Sequence, residues 1–264
     1  MIITNDFVLL NNPKTGSTYC RKIIKQLYKD MPRWKVHLGL TLDEKYFLEL
    51  KSPNLSFPDR PKNQHGRFSQ IPKKYQNIKV VSVVRNPYDK LISAYEYKYH
   101  LKRRPSPEIL EKARISDLEK ISIDQFVLIN SISIEMQYPS LQGKEVGSQT
   151  IRFMEMFFKK PEEAISKICT EYFESRAYKS DMAVTTFFDQ RNLKSDLFSF
   201  LRSVGNYDEE QLILLENTPA INKNKNRTPS EQFVWSDYSK SSVQYGERFL
   251  FLMLKDMGFN YDSI

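Results

Sequence analysis

Hydrophobic positions in this chain gather into short runs, each followed by a polar turn and then by an amphipathic stretch. The run in DFVLLN (6–11) reads as a buried strand. TYCRKIIKQLYKD (18–30) reads as a helix, with Tyr19, Ile23 and Leu27 at i, i+4 and i+8 on one face. RWKVHL (33–38) reads as a further strand, and the Pro-, Asn- and Ser-rich residues 51–64 as a surface loop. IKVVSVV (78–84) is β-branched and nearly all apolar, the pattern of a central parallel strand covered on both faces. A helix is expected over 86–104, where Asn86 suits the N-cap, Pro87 the first helical position and Asp89 the first turn. RRPSPE (103–108) breaks it. Residues 109–178 read as mainly helical with a loop around 139–147, and MAVTTFF (182–188) as a later strand. NLKSDLFSFLRSVG (192–205) reads as an amphipathic helix stopped by glycine, 217–231 as a polar, basic loop, and 237–257 as a last helix ending at Gly258. Strands alternating with helices predict an α/β fold with a mostly parallel sheet. Residues 1–264 are expected to form a single domain with a mainly helical insertion at about 101–180.

Composition adds a sign to this picture. The formal net charge is +8, which favours anionic partners such as phosphates, acidic glycans or nucleic acid without choosing among them. No stretch approaches the ~18 apolar residues of a membrane span, and the N-terminus lacks the basic and apolar regions of a signal peptide. Two cysteines far apart, Cys20 and Cys169, and three histidines make no metal-type cluster. A reducing cytoplasm is the expected compartment.

The chemistry concentrates after two of the apolar runs. NNPKTGSTYC (11–20) has the strand–loop–helix context of a phosphate-binding loop, yet it departs from the P-loop pattern, in which lysine follows the second glycine and a magnesium-binding hydroxyl follows the lysine. Here Lys14 precedes Gly16, and Thr15, Ser17 and Thr18 surround that glycine. Backbone N–H groups at a helix N-terminus cradle an oxyanion, and Lys14 adds a point charge. The second run ends in Arg85, where a P-loop kinase carries a magnesium-holding aspartate. Arginine holds no metal but forks onto phosphate. Ser93, eight residues on, supplies a further hydroxyl. In a parallel α/β sheet, ligands gather beyond the carboxyl ends of the strands, which is where both groups fall.

These two motifs resemble those of the sulfotransferases that use 3′-phosphoadenosine-5′-phosphosulfate (PAPS). PKTGSTY (13–19) is similar to their 5′-phosphosulfate loop, and RNPYDKLISAY (85–95) to their 3′-phosphate motif. FFDQRNLKSDLFSFLRSVG, PAINKNKNR and the closing MGFNYD resemble the carbohydrate-type branch, whereas 101–180 resembles nothing placed. The resemblance implies a three-layer, P-loop-NTPase-like fold with helices flanking the sheet. It implies that Pro13, Lys14, Thr15, Gly16, Ser17 and Thr18 hold the 5′-phosphate and sulfuryl group, and Arg85 and Ser93 the 3′-phosphate. Lys223, Lys225 and Arg227 match a basic loop that the family closes over the nucleotide. No metal is implied, because Lys14 and the loop amides sit where charge develops on the departing phosphate.

The acceptor hydroxyl needs a general base, worth typically ~10²–10⁴-fold. NQHGRFSQIP (63–72) resembles the segment in which some glycan sulfotransferases carry a histidine base, so His65 is the expected base, with His37 and Glu44 as alternatives. His100 reads as a surface residue. Tyr95, Tyr97, Tyr99 and Trp235 are candidates for stacking on sugar rings, and Lys98, Lys102, Arg103 and Arg104 for an acidic glycan. Gln149 and Thr150 lie where the family tends to approach its acceptor. The expected partners are therefore the donor nucleotide and a glycan or glycolipid hydroxyl, with no specific nucleic acid. The rival readings are a metal-dependent nucleotide or small-molecule kinase, and a catalytically silent nucleotide- or nucleic-acid-binding module.

Overall fold

The structure, a computed structural model, describes residues 1–28, 47–53, 62–205, 207–218 and 233–261. The expected strand at 33–38, His37, Glu44, and Lys223, Lys225 and Arg227 lie outside the described residues. The strands are β1 Ile2–Thr4, β2 Phe7–Leu9, β3 Phe47–Glu49, β4 Lys79–Val84 and β5 Thr186–Asp189. The longer helices are α1 Ser17–Leu27, α2 Pro87–Glu96, α3 Ile123–Gln137, α4 Ser148–Phe157, α5 Leu193–Val204, α6 Asp237–Gly246 and α7 Arg248–Asp256. The chain divides into two compact units, Met1–Arg85 with Ala183–Lys223, and Asn86–Met182 with Asn224–Ile264.

The first unit holds all five strands in one mixed sheet, in the order β3-β1-β2-β4-β5. Its β2, β4 and β5 are parallel, with Leu9 opposite Val81 and Val84 opposite Asp189. β1 runs antiparallel to both β2 and β3. The hairpin between β1 and β2 is closed by buried Thr4, whose Oγ1 donates to the Phe7 carbonyl and accepts the Asp6 and Phe7 amides. Neither β1 nor β3 is anticipated by the hydrophobic pattern: each has only three residues, too few to show a period, whereas the equally short β2 lies within the longer apolar run Phe7–Leu10. The expected strand at 182–188 starts later, at Thr186, and runs on to Asp189, because its pairing with Val81–Val84 carries it to the same end as β4. The core of the unit packs Tyr19, Cys20, Ile23, Ile24 and Leu27 of α1, and Leu197, Phe198 and Leu201 of α5, with Phe7, Leu9, Val81, Val83 and Phe188 of the sheet. The Phe200 ring meets the edges of Phe7 at 5.2 Å and Phe188 at 5.3 Å between centroids. Burying each such side chain contributes roughly 1.5–3 kcal/mol.

The described part of the second unit is helical apart from short bridges. Asn86 caps α2, its Oδ1 accepting the Tyr88 amide at 3.0 Å, with Pro87 at the first helical position. The helix expected over 86–104 is two helices. It stops after Glu96, Lys98 takes a left-handed conformation (φ 53°), and a short helix restarts at Tyr99. That bend puts His100 inside, not on the surface as the pattern suggested. It is 5 % exposed, with its ring stacked on Tyr95 and against Phe126, and its pKa is held below the usual histidine range by burial and by the Lys98 charge.

The last helix is also divided, at Glu247. This residue is buried, and its carboxylate caps α4: Oε1 accepts the Gln149 amide at 2.9 Å, and Oε2 accepts the Thr150 amide at 2.6 Å and hydroxyl at 2.8 Å. A carboxylate at a helix N-terminus gains from the orphan amides and the dipole. Burial nevertheless pushes the Glu247 pKa up, despite the bonds that favour its charged form.

Candidate active site

The site is built where the parallel strands end. Beyond β2, Leu10 still donates to the Val81 carbonyl at 2.9 Å, and Ser82 Oγ donates to the Leu10 carbonyl at 2.8 Å. Asn12 Nδ2 then reaches the Val83 carbonyl at 3.0 Å. These bonds extend the ladder past the strand and tie the loop to β4. The Asn12 carbonyl in turn accepts two hydroxyls, those of Thr15 and Ser17, each at 2.9 Å. Thr15 and Ser17 are buried and their protons are committed to shaping the loop, while Thr18 is exposed. Thr18 is thus the exposed hydroxyl residue of the loop, and the hydroxyls of Thr15 and Ser17 brace the turn.

Two residues of the loop are left-handed, Lys14 (φ 64°) and Gly16 (φ 88°). Lysine in that region carries a Cβ penalty. Glycine carries none, and here it is required twice over, since a Cβ at Gly16 would lie 2.8 Å from Leu193 Cδ2. Gly16 is the N-cap of α1, so the cap residue offers no side chain, and no acidic residue occupies the first turn. The first-turn amides thus face an end of positive potential, which suits an incoming oxyanion.

Arg85 follows β4 and is 7 % exposed. Its guanidinium NH1 donates to the Lys14 carbonyl at 2.9 Å. The two anion-binding candidates that the sequence places 71 residues apart are thereby in direct contact, and the arginine holds the left-handed residue of the loop. Ser93 stands half-buried on α2, in the second unit.

His65 enters the same strand end from a stretch with no helix or strand of its own. Its Nδ1 lies 2.7 Å from the Asn11 carbonyl. A carbonyl only accepts, so Nδ1 carries a proton, and in the neutral ring Nε2 then carries the lone pair. That is the tautomer a general base acting through Nε2 requires. Asn11 Nδ2 donates to the Gln64 carbonyl at 3.0 Å, and the His65 amide donates to Asn63 Oδ1 at 2.7 Å.

Asn11, Asn12 and Arg21 are not singled out by the sequence; the signal for the two asparagines is their place straight after an apolar strand. The end of β5 adds Asp189, which accepts the Arg191 side chain and amide. Among the proposed acceptor contacts, Tyr95 is core, its hydroxyl donating to the Ile121 carbonyl. Lys102 lies over the Tyr97 ring and Arg103 over that of Tyr99. Trp235 packs edge-on to Tyr88 at 5.3 Å. Thr150 is committed to Glu247, and Gln149 donates its side-chain amide to the Pro87 carbonyl at 2.8 Å.

A family model for the sulfotransferase domain matches residues 4–174, about two thirds of the chain. The chain belongs to the sulfotransferase family. It is a PAPS-dependent enzyme of sulfuryl transfer. Among solved structures, this sulfotransferase is similar to the mouse sulfotransferase SULT7A1, determined as a complex with PAP. The identity is 18 % over 98 % of this chain and 86 % of that one, with a TM-score of 0.38. Among the described residues of the sulfotransferase, no helix is long and apolar enough to cross a membrane.

Proposed function

We propose that this sulfotransferase transfers the sulfuryl group to a carbohydrate hydroxyl, with Lys14 and the 13–18 loop holding the 5′-phosphosulfate, Arg85 and Ser93 the 3′-phosphate, and His65 acting as base. The observation that carries the reading is the bond from Arg85 to the Lys14 carbonyl. It brings two cationic groups to the ends of adjacent parallel strands, beside an uncapped helix N-terminus. PAPS, when bound, supplies the sulfuryl group and departs as adenosine bisphosphate. Lys14 and the α1 amides stabilise the charge that grows on the departing phosphate. His65 takes the acceptor proton at Nε2 while Nδ1–H stays on the Asn11 carbonyl. Lys223, Lys225 and Arg227 extend the cationic surface over the nucleotide in this reading. The carbohydrate assignment rests on the resemblance of the C-terminal stretches to the carbohydrate branch. We further read the chain as one sulfotransferase domain with a helical insertion, working in the cytoplasm. The two cysteines, both unbridged, fit a reducing compartment.

The test has two arms. A thermal melt with adenosine 3′,5′-bisphosphate at a hundred times its dissociation constant should add about 2.7 kcal/mol of stability. The shift should survive chelator and vanish in Arg85→Ala; a shift that instead requires ATP and magnesium supports the kinase reading. A screen of glycans, phenols and steroids with radiolabelled PAPS then identifies the acceptor. Label on a phenol or steroid alone overturns the carbohydrate assignment, and label on nothing favours the silent module.

A further inference from the structure

We propose that Arg21 is a positioning residue for the base: through Gln64 it fixes the His65 ring in the Nδ1–H tautomer. The inference rests on the reading of His65 as base. Arg21 lies on α1, one turn beyond Thr18, with its side chain 15 % exposed. Its NH1 donates to Gln64 Oε1 and its NH2 to Glu49 Oε1. Glu49, on β3, also pairs with Lys25 Nζ at 2.6 Å. Burial opposes the ionisation of Glu49, but the bonds and charges of Lys25 and Arg21 outweigh it and keep the carboxyl below the ordinary range. The guanidinium is therefore anchored on one prong by a charged partner and presents the other to Gln64, the geometry in which a fork holds direction as well as distance.

Gln64 is gripped from a second side, because its carbonyl accepts Asn11 Nδ2 and the Met1 nitrogen. No ladder runs through Gln64 and His65 themselves; the nearest bridge pairs Asn63 with Ser52. The side-chain bonds are what hold this stretch. Gly66, next in the chain, is seated so closely that a Cβ there would lie 2.6 Å from Ser52 Oγ. Gln64 thus has little room to move while Arg21 and Asn11 are in place. The ring of the following residue then keeps its Nδ1 on the Asn11 carbonyl. One helix carries both functions: its first turn faces the donor loop, and its second turn fixes the base.

Nitrogen-15 NMR of histidine-labelled protein at about pH 8, where imidazole is neutral, reads the tautomer directly. His65 is assigned by the signal lost in His65→Gln. The wild type should show a single Nδ1–H tautomer. Arg21→Gln and Gln64→Leu should each show averaged ring signals, while Gln64→Glu, which keeps an acceptor for Arg21, should retain the wild-type pattern. With the acceptor found in the screen, Arg21→Gln should lose about 10- to 100-fold in kcat with KM for PAPS within twofold, since a small misplacement of a reacting group costs up to about 10²-fold. An unchanged tautomer in both Arg21→Gln and Gln64→Leu overturns the proposal. Full turnover in His65→Gln removes the base assignment instead, and the NMR result still decides whether Arg21 orders the ring. Gln64→Leu leaves α1 untouched, so the test stands even if Arg21→Gln does not fold.

Discussion

The two units bury polar groups for different ends. In the first, Asn11, Asn12, Thr15, Ser17, Ser82 and Arg85 are all buried, and all lie at or next to the carboxyl ends of β2 and β4. Their bonds shape the loop that leads into α1. In the second, Glu247, Gln149, Thr150 and Ser239 are buried too, but the carboxylate of Glu247 accepts from the first turn of α4. One set of polar groups spends burial on a site, the other on joining helices. Buried polarity by itself does not mark a functional site; in the first unit it frames a helix N-terminus whose own first turn carries no acidic residue.

That contrast can be broken at several points. The largest effect is expected from Lys14→Met, which on the proposed reading removes a cation from the position of developing charge and should lower kcat by about 10²–10³-fold with little change in melting temperature. Steady-state kinetics alongside thermal melts would show this, and a large loss of stability with normal turnover would reverse the roles assigned to the loop. Next is Glu247→Ala in the second unit, which strips two buried helix amides and a hydroxyl of their acceptor. It should cost about 2–3 kcal/mol by denaturant unfolding, with PAP affinity unchanged. The sharpest and smallest test is pH. Burial raises the folded-state pKa of Glu247 above that of the unfolded chain, so this group's contribution is fully present below the ordinary carboxylate range. It is lost as pH rises through the raised value. Relative to Glu247→Gln, which does not titrate, the wild type should lose stability across that window, read by denaturant unfolding at a series of pH values. A difference that stays flat with pH means the charge is not desolvated as its burial indicates.

The same contrast explains what could be read in advance. The loop after DFVLLN and the arginine after VVSVV are legible because a parallel ladder is a regular object: once Leu9 is opposite Val81, the groups that follow must share an end. His65 was accessible from its neighbours in sequence, and its tautomer from none of them, since that depends on a carbonyl 54 residues away. β1 and β3 were missed because three residues carry no period. The breaks at Lys98 and Glu247 were missed for a different reason. At Lys98 helix propensity runs on, and the break goes with an aromatic cluster that takes in His100; at Glu247 the preceding Gly246 is a weak local signal, and the carboxylate is drawn to another helix's amides. The bond from the Ser17 hydroxyl to the Asn12 carbonyl is likewise invisible in the motif, since it depends on how the loop turns.

The pairing of β2 with β4 has one more consequence. Side chains on a strand alternate between opposite faces, so β4 works like a gear whose teeth must mesh in step. Deleting or inserting a single residue between Lys79 and Val84 would send Val81 and Val83 away from the core and rotate the arginine's stem to the far side of the sheet. A substitution anywhere along that strand is a local injury, but a frame slip of one would disturb the core and the proposed nucleotide contact together.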